Sequence, residues 1–477
     1  MSEYTPVSAE CLRRRFASAA DFIERPAMPG GVKVPLFYLD GLVSSAELSE
    51  GILRPMAEHL HGTPPERLYE RCLNGAVYCA SAAACTDEDD ACRKLTHGFA
   101  VAIFPGERAA AFELKGGEKR SPSPPEVENS VKGARDAFTE TLRTNTALLR
   151  RHLWLPELEI REISVGRRSD TAVAVVSVRG LTDPALADAL CARLRSIDID
   201  GMLSPAAVEE YLTGSRKTAF PLLQYTECPD RFSRGLLDGQ VGVLVDGLPL
   251  GYLAPVNVGL LMTAAEDRGS NYVTASCVRV IRYLALLTAL LLPALYVAMT
   301  RFHPAMIPTR LLRAIIESKQ EVPFPTVAEV LGLLASFELL QEAGLHLPQS
   351  IGQTVSIIGG LVVGTAAVEA SLISPAALIA VSAAGICGFA VPEQELGGAV
   401  RVWRFVLTVC AALAGLFGMT MGVICLLVHL GRLESFGRPY LAPFSAVTAD
   451  GALLRRRLVT QKERDPAFRP LDRRKQR

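Results

Sequence analysis

The sequence predicts an α/β soluble head of two small lobes followed by an all-α multipass membrane domain. Three observations carry this. The run from Phe405 to Val428 holds no charged side chain, and a hydrocarbon core of about 30 Å is crossed by roughly 20 apolar helical residues. Further apolar runs begin near Val280, whereas the chain before Tyr272 alternates strand-like and helix-like segments, the pattern of small α/β domains. The 477 residues carry 50 acidic and 50 basic side chains, so overall charge selects no partner.

The expected partition is a variable N-terminal segment (1–31), a first α/β lobe (32–118), a proline-rich linker (119–127), a second α/β lobe (128–272), a transmembrane helical domain (273–430) and a basic tail (431–477). In the first lobe, Val34 to Leu42 is β-rich and ends near the turn signal Asp40-Gly41. Leu48, Ile52, Met56 and Leu60 recur every four residues and predict a helix from Ala46 to Leu60, kinked or split at Pro55. Gly98–Phe104 and Ala109–Leu114 flank the turn Pro105-Gly106 as two strands. Cys72, Cys79, Cys85 and Cys92 have neither C-x-x-C spacing nor a histidine pair, so they are expected as buried thiols in a reducing compartment and no metal is expected.

Beyond the linker Ser121-Pro122-Ser123-Pro124-Pro125, residues Val131, Ala134, Phe138 and Leu142 lie at helical spacing, and Leu149 continues their face. A helix capped by Asn129 or Ser130 is expected there. The second lobe continues with a strand at Thr171–Val178, a helix from Asp183 to about Arg195, a break at Ile197–Gly201 and a helix start at Ser204-Pro205. A hairpin follows, Gln240–Val245 and Leu250–Leu253 around Asp246-Gly247.

In the membrane block, Tyr283–Thr300 is preceded by Arg279 and Arg282 and stopped by Arg301. Pro304, Pro308, Pro323 and Pro325 break helix continuity, so the chain between them is expected at the interface or re-entrant. Ala328–Leu345 is ambiguous because it carries Glu329, Glu338 and Glu342; Ile351–Ser371, Ile373–Pro392 and Phe405–Val428 are spans. No apolar core follows the basic residues of the first thirty positions, so no secretory signal is read there. Arg455, Arg456, Arg457, Arg473, Arg474 and Lys475 follow the last span. Basic flanks stay on the cytoplasmic side, which places head and C-terminus inside. No nucleic-acid role is expected of this cluster, since no aromatic residues interleave it.

Several short motifs occur together and in order: Pro125-x-x-Glu128-Asn129-Ser130-x-x-Gly133-x-x-Asp136-x-Phe138, then Leu142-Arg143-x-Asn145, Arg150-Arg151, Phe220-Pro221, Asp230-Arg231, Leu237-Asp238-Gly239-x-Val241 and Val245-Asp246-Gly247-x-Pro249. The membrane block adds Leu292-Pro293-Ala294-Leu295-Tyr296, Val322-Pro323-Phe324-Pro325, Glu338-Leu339-x-x-Glu342-Ala343-Gly344, Leu347-Pro348-x-x-Ile351-Gly352 and Ser435-Phe436-Gly437-x-Pro439-Tyr440. From about Val34 to Pro443 the chain resembles the A subunits of spore germinant receptors, the GerA-type spore germination family. The resemblance implies a receptor component in the spore inner membrane. There it would work beside a multipass B subunit that holds the nutrient and a lipoprotein C subunit, and would oligomerise to provide an ion path. A related sporulation membrane protein shares much of the architecture.

The residues themselves leave alternatives open. Gly360 and Gly364 stand four apart; with Gly359 and Val363 they suit either close helix packing or a narrow apolar constriction. Glu369, near the end of that span, should face protein or water. Glu338 and Glu342 share a helix face and either line a cation path, pair with Arg310, Arg313, Arg401 or Arg404, or mark an interfacial helix. Asp136 and Glu140 are expected on a solvated helix face, and Asp198 and Asp200 as turn residues. Neither a Walker lysine motif nor G-x-G-x-x-G occurs, no catalytic constellation is visible and no cofactor is expected. A signal-transducing membrane subunit is therefore expected, with a membrane-anchored scaffold as the alternative. Secondary transport would call for inverted repeats, which the sequence does not show.

Overall fold

The computed structural model describes residues 6–114, 128, 134–202, 204–214, 217–346, 364–444, 454–455 and 457–475. It forms two compact units. The first comprises Met1–Arg216, Leu223–Pro255 and Gln461–Arg477; the second comprises Lys217–Leu222 and Val256–Thr460.

The first unit holds two five-stranded antiparallel sheets. Strand β1 (Phe22–Ala27) pairs along its whole length with β2 (Val34–Leu39), so the N-terminal segment before Val32 contributes an edge strand and a helix, α1 (Ala9–Arg15). With β3 (Ala82–Ala84), β4 (Phe99–Phe104) and β5 (Arg108–Glu113) the order is β1-β2-β4-β5-β3. Side chains alternate across a strand, and here both faces are covered. Leu36, Ala100, Ala102, Phe104 and Phe112 pack against Leu48, Ile52, Met56 and Leu60. Phe37, Leu39, Val101, Ile103 and Ala111 pack against Leu12, Phe16 and Leu95, the last from α2 (Glu88–Thr96).

The four-residue repeat does form one continuous helical stretch from Ser45 to His59, wound as a π-helix over Leu48–Leu53. Pro55 has no N–H for the carbonyl of Gly51, and the N–H of Tyr78 donates to that carbonyl instead, at 2.7 Å. A side chain at Gly51 would meet the Tyr78 carbonyl at 2.7 Å, so only glycine admits this approach.

The second sheet has the order β6-β7-β9-β10-β8, from β6 (Leu158–Val165), β7 (Thr171–Val178), β8 (Gln224–Thr226), β9 (Val241–Val245) and β10 (Gly251–Ala254). Helices α3 (Leu142–His152), α4 (Pro184–Ser196), α5 (Pro205–Thr213) and α6 (Pro229–Leu237) accompany it. The helix expected from Val131 onward is absent over residues 134–141, which are not helical. The expected caps Asn129 and Ser130 lie outside the described residues. The helix starts at Leu142 because its N–H donates to the Asp246 carboxylate, 104 residues away, at 2.9 Å. Upstream, the N–H of Phe138 donates to the Glu227 carbonyl at 2.8 Å, and its ring meets Phe232 edge-on. A partner distant in sequence thus overrides the local periodicity.

Asp21, beside β1, joins the two lobes. Its carboxylate accepts from Arg150 Nε at 2.8 Å and from the second guanidinium nitrogen at 2.9 Å, with both side chains essentially without exposure. Arg150 also donates to the Leu155 carbonyl, and a parallel bridge between Ala19 and Ile160 runs alongside.

In the second unit, α7 (Tyr272–Phe302), α8 (Thr309–Lys319), α9 (Thr326–His346), α10 (Pro375–Gly388) and α11 (Gln394–Arg432) assemble. Two of them, α7 and α11, are long and apolar enough to cross a membrane. The α11 segment, expected as one crossing from Phe405 to Val428, folds back on itself. Ala414 and Gly415 have non-helical angles, with φ +61° at Gly415. The rings of Trp403 and His429 are 5.9 Å apart, whereas an unbroken helix rising 1.5 Å per residue would separate them by about 39 Å. The second arm therefore packs antiparallel on the first, with Gly422 against Leu407 and Cys410. The fold-back follows from glycine's access to positive φ and from space: a Cβ on Gly415 would lie 2.9 Å from Phe302.

This hairpin defines a tip, where Gly415 meets Phe302, and a base, where Tyr283 and Leu286 of α7 join Leu396, Ala399, Leu426 and Tyr440. Helix α9 runs from tip to base: Val330 and Leu334 pack with Val297, and Glu338 reaches Arg401 and Arg404. Helix α10 runs the same way, Ser374 touching Glu329 and Gly385 facing Phe337, before Val391 enters the base cluster. Leu284, Leu287, Ile379, Leu413, Phe417 and Ile424 point outward.

Replacing Asp21 with alanine leaves Arg150 buried without its counter-charge. The expected loss is about 3–5 kcal/mol of unfolding free energy. Denaturant titration of purified Trp403→Phe protein, followed by Trp154 emission, reads it; a loss below about 1 kcal/mol would contradict a joining role for the pair.

Candidate functional site

Among the described residues of the helical unit, three sets of buried charge are paired as follows: Asp267 with Arg279 and Arg282, Arg404 with Glu338, and Glu329 with Lys319. At the base, Asp267 accepts from Arg279 Nε at 2.9 Å and from two nitrogens of Arg282 at 3.0 and 3.2 Å, while Arg282 also donates to the Met262 carbonyl. Burial opposes ionisation of Asp267, but the hydrogen bonds from Arg282 and Arg279 outweigh it and hold the carboxyl below its ordinary range. The arginines that flank the first apolar run are thus held by one carboxylate.

Higher in the bundle, Glu338 accepts from Arg401 at 3.2 Å and, by a short contact, from Arg404, a residue only 2% exposed. The structure brings Glu338 to both arginines of α11, and Gln341 accepts from Arg401 as well. Glu342, one turn on, is exposed. Arg310 and Arg313 lie on α8, whereas Glu338 pairs with Arg401 and Arg404. At the tip, the buried Glu329 accepts from the Ser374 hydroxyl at 2.8 Å and lies 3.3 Å from Lys319 Nζ, which also reaches Thr326. Pro323 and Pro325 precede α9, whose Glu329 N–H donates to the Pro325 carbonyl. Gly359, Gly360 and Val363 lie outside the described residues. Gly364 faces Leu378, and Glu369 is exposed in the same helical turn region.

Among the described residues no cluster of histidine, cysteine, aspartate or glutamate is arranged to hold a metal ion. Asp198 and Asp200 pair with Arg167 and Arg168 rather than converging. Cys72, Cys85 and Cys92 are buried, with burial the largest influence raising each thiol, to about 12, 11 and 11.

The family model of the Bacillus/Clostridium GerA spore germination protein matches residues 10–467. The chain belongs to the GerA spore germination family. The uncharacterized membrane protein YfkQ of Bacillus subtilis is 37% identical over 416 residues, 87% of this chain and 81% of that protein. Spore germination protein KA of the same organism is 34% identical over 452 residues, 93% of this chain and 82% of its own. The N-terminal domain of the A subunit of the Bacillus megaterium spore germinant receptor GerK3 aligns with a TM-score of 0.41 at 22% identity, over 53% of this chain and 97% of its own, too loose a likeness to carry an argument.

Within this GerA-family chain the head motif is only partly gathered. Glu128 accepts from the Thr226 hydroxyl at 2.6 Å and, by a short contact, from Arg231 on α6. Phe138 enters the core. Asn129, Ser130 and Gly133 lie outside the described residues. Asp136 is not on a solvated helix face: its carboxylate lies 2.7 Å from His152 Nε2, a partner that sequence spacing concealed because the 134–141 segment is not helical. The hydrogen bond from His152 holds Asp136 below its ordinary range, and the same bond raises His152.

The pair makes stability depend on pH at both ends. The histidine's contribution is complete below its unfolded value of about 6.5 and fades as pH rises through its elevated folded value. The aspartate's contribution is complete above about 3.9 and fades as pH falls through its depressed value. Histidine-selective carbon NMR of the full chain should show the raised imidazole of His152 shift its titration to lower pH in Asp136→Asn. An unchanged histidine in that variant would refute the pairing.

Proposed function

We propose that this chain is the membrane subunit of a nutrient germinant receptor that triggers bacterial spore germination. It transduces binding at a partner into ion release by rearranging its helical unit. The observation that carries the reading is Glu338 held between the half-exposed Arg401 and the buried Arg404 in the helical unit, in a chain of the GerA family. Charge placed there against its desolvation cost marks a functional site more often than a structural filler. A transducer also needs two states that differ in their contacts with the liganded partner.

On this reading the bundle lies in the spore inner membrane with its base toward the cytoplasm. The base carries Arg279, Arg282, Arg432 and Arg455, and the rule of basic cytoplasmic flanks supports this orientation. The described helices that pass through the membrane are α7, α9, α10 and the two arms of α11, and both termini lie on the cytoplasmic side with the head. The partners are the bilayer, a multipass B subunit, a lipoprotein C subunit and further copies of this chain, consistent with relatives named as spore germination proteins.

The second reading, a membrane-anchored scaffold of sporulation or germination, draws on the pairing of Glu338, which is also what a static bundle needs. Two measurements separate them. Planar-bilayer recordings of the purified protein show current only for the conducting reading. In spores triggered with the nutrient that this receptor serves, Glu342→Gln alone and Glu338→Gln with Glu342→Gln should both slow potassium release, the double variant more. Normal release from spores holding normal amounts of the variant proteins would remove the conduction role.

A further inference from the structure

Helix α8 (Thr309–Lys319) joins the end of α7 to the start of α9. Both of those ends lie at the tip, Phe302 against Gly415 and Glu329 beside Ser374. The helix therefore runs across the tip rather than along the bundle. Pro308 precedes it and Pro323 and Pro325 follow it, which separates it from the helices on either side.

Its roll is fixed from within the helical unit. Ile315 is buried, and Lys319, one turn on, lies 3.3 Å from the buried Glu329. Residues four apart share a helix face, so this face is turned to the bundle, where α8 packs on α10. Arg310, Arg313 and Glu317 recur at spacings of three and four on the opposite face, and all three are exposed. The apolar face is wider than the contact it makes. Leu311 and Ile316 flank Ile315 and are 54% and 51% exposed. Met306 before the helix and Phe324 after it are exposed as well.

Water suits the charged crest of such a helix but not its apolar shoulders. The core of a protein interface suits the shoulders but is depleted of charge. The boundary of a leaflet suits both. An amphipathic helix lying in that plane sinks its apolar side about 5–10 Å toward the acyl chains and keeps its cations among the headgroups. Leu413 and Phe417, on either side of the Gly415 turn, are also exposed, so the apolar surface of the bundle reaches the end where α8 lies. Guanidinium groups bind phosphate oxygens through paired hydrogen bonds. Arg310 and Arg313, three apart, are neighbours on the helix surface and address one patch of headgroups.

We propose that α8 is an in-plane helix that seats the tip in an anionic phospholipid leaflet. Arg310 and Arg313 lie on the lipid phosphates, and Leu311 and Ile316 lie among the upper acyl carbons. The proposal rests on the membrane reading above and names the lipid chemistry that the tip selects. It also supplies counter-charge for arginines at the end of the bundle that this reading turns away from the cytoplasm.

The test is hydrogen exchange, read by mass spectrometry, on the full-length protein in nanodiscs of phosphatidylcholine, with or without phosphatidylglycerol. The α8 amides should exchange about fivefold more slowly in the anionic discs, the factor that one net cation gains near such a surface. The net count is one because Glu317 offsets one of the two arginines. Arg310→Gln with Arg313→Gln should abolish the difference between discs. Leu311→Ser with Ile316→Ser should speed exchange of α8 in both discs and leave the headgroup difference in place. Equal exchange of the unsubstituted helix in the two discs would overturn the proposal, as would a difference that survives loss of both arginines. Protection that follows the number of chains per disc, rather than headgroup charge, would assign α8 to contact between copies and overturn it too. A chain that does not stay with the discs refutes the membrane reading instead, so the two failures are distinguishable.

Discussion

A charge removed from water must meet its counter-charge, and in the helical unit this constraint fixes how the helices face one another. Asp267 holds Arg279 and Arg282, Glu338 holds Arg401 and Arg404, and Glu329 lies against Ser374 and Lys319. Leaving one such partner alone costs several kcal/mol, so the rotation of α7, α9 and α11 about their axes is set by these contacts. Apolar packing then fills the space between: Ala294, Ala298, Leu407 and Ala411 are small or flexible enough to let α7 approach both arms of the α11 hairpin. The first unit obeys the same rule, with the buried Asp21 and Arg150 tying one sheet to the other.

What was legible in the sequence follows from where the decisive partner lies. Strands β4, β5 and β7 announced themselves because each is covered on both faces and reads as a continuous apolar run. Helix α4 did so because its cap, Asp183, is its immediate neighbour. The start of α3 did not, because its cap is Asp246, and a residue 104 positions away leaves no local mark. The fold-back of α11 was hidden for a different reason. Gly415 sits among Gly418, Gly422 and alanines in a run without polar punctuation, and only the approach of Phe302 distinguishes it. The Asp136–His152 pair escaped since it spans a segment whose helical periodicity is not used.

Of the candidate site, the identities were legible and the pairings were not. Glu338 and Glu342 stood out as carboxylates in an apolar block, with Arg401 and Arg404 among several possible partners. The structure selects those two because α9 returns from tip to base beside the first arm of α11, a course that depends on the concealed fold-back. Arg310 and Arg313, equally available in sequence, belong to α8 near the tip. Long-range topology therefore decided the site, and topology turned on one glycine.

The two glutamates are consequently unequal as participants in a switch. Arg404 is almost fully buried, and withdrawing Glu338 would strand it at a cost of about 3–5 kcal/mol. Coupling between a ligand site and a distant element typically supplies 1–3 kcal/mol. A ligand signal of that size does not separate the pair unaided. Glu338 therefore moves, if the bundle rearranges, together with Arg404, as part of one body comprising α9 and the first arm of α11. Glu342, one turn beyond, is exposed, so under the conducting reading proposed above it is the carboxylate that a change in the bundle would present to a cation.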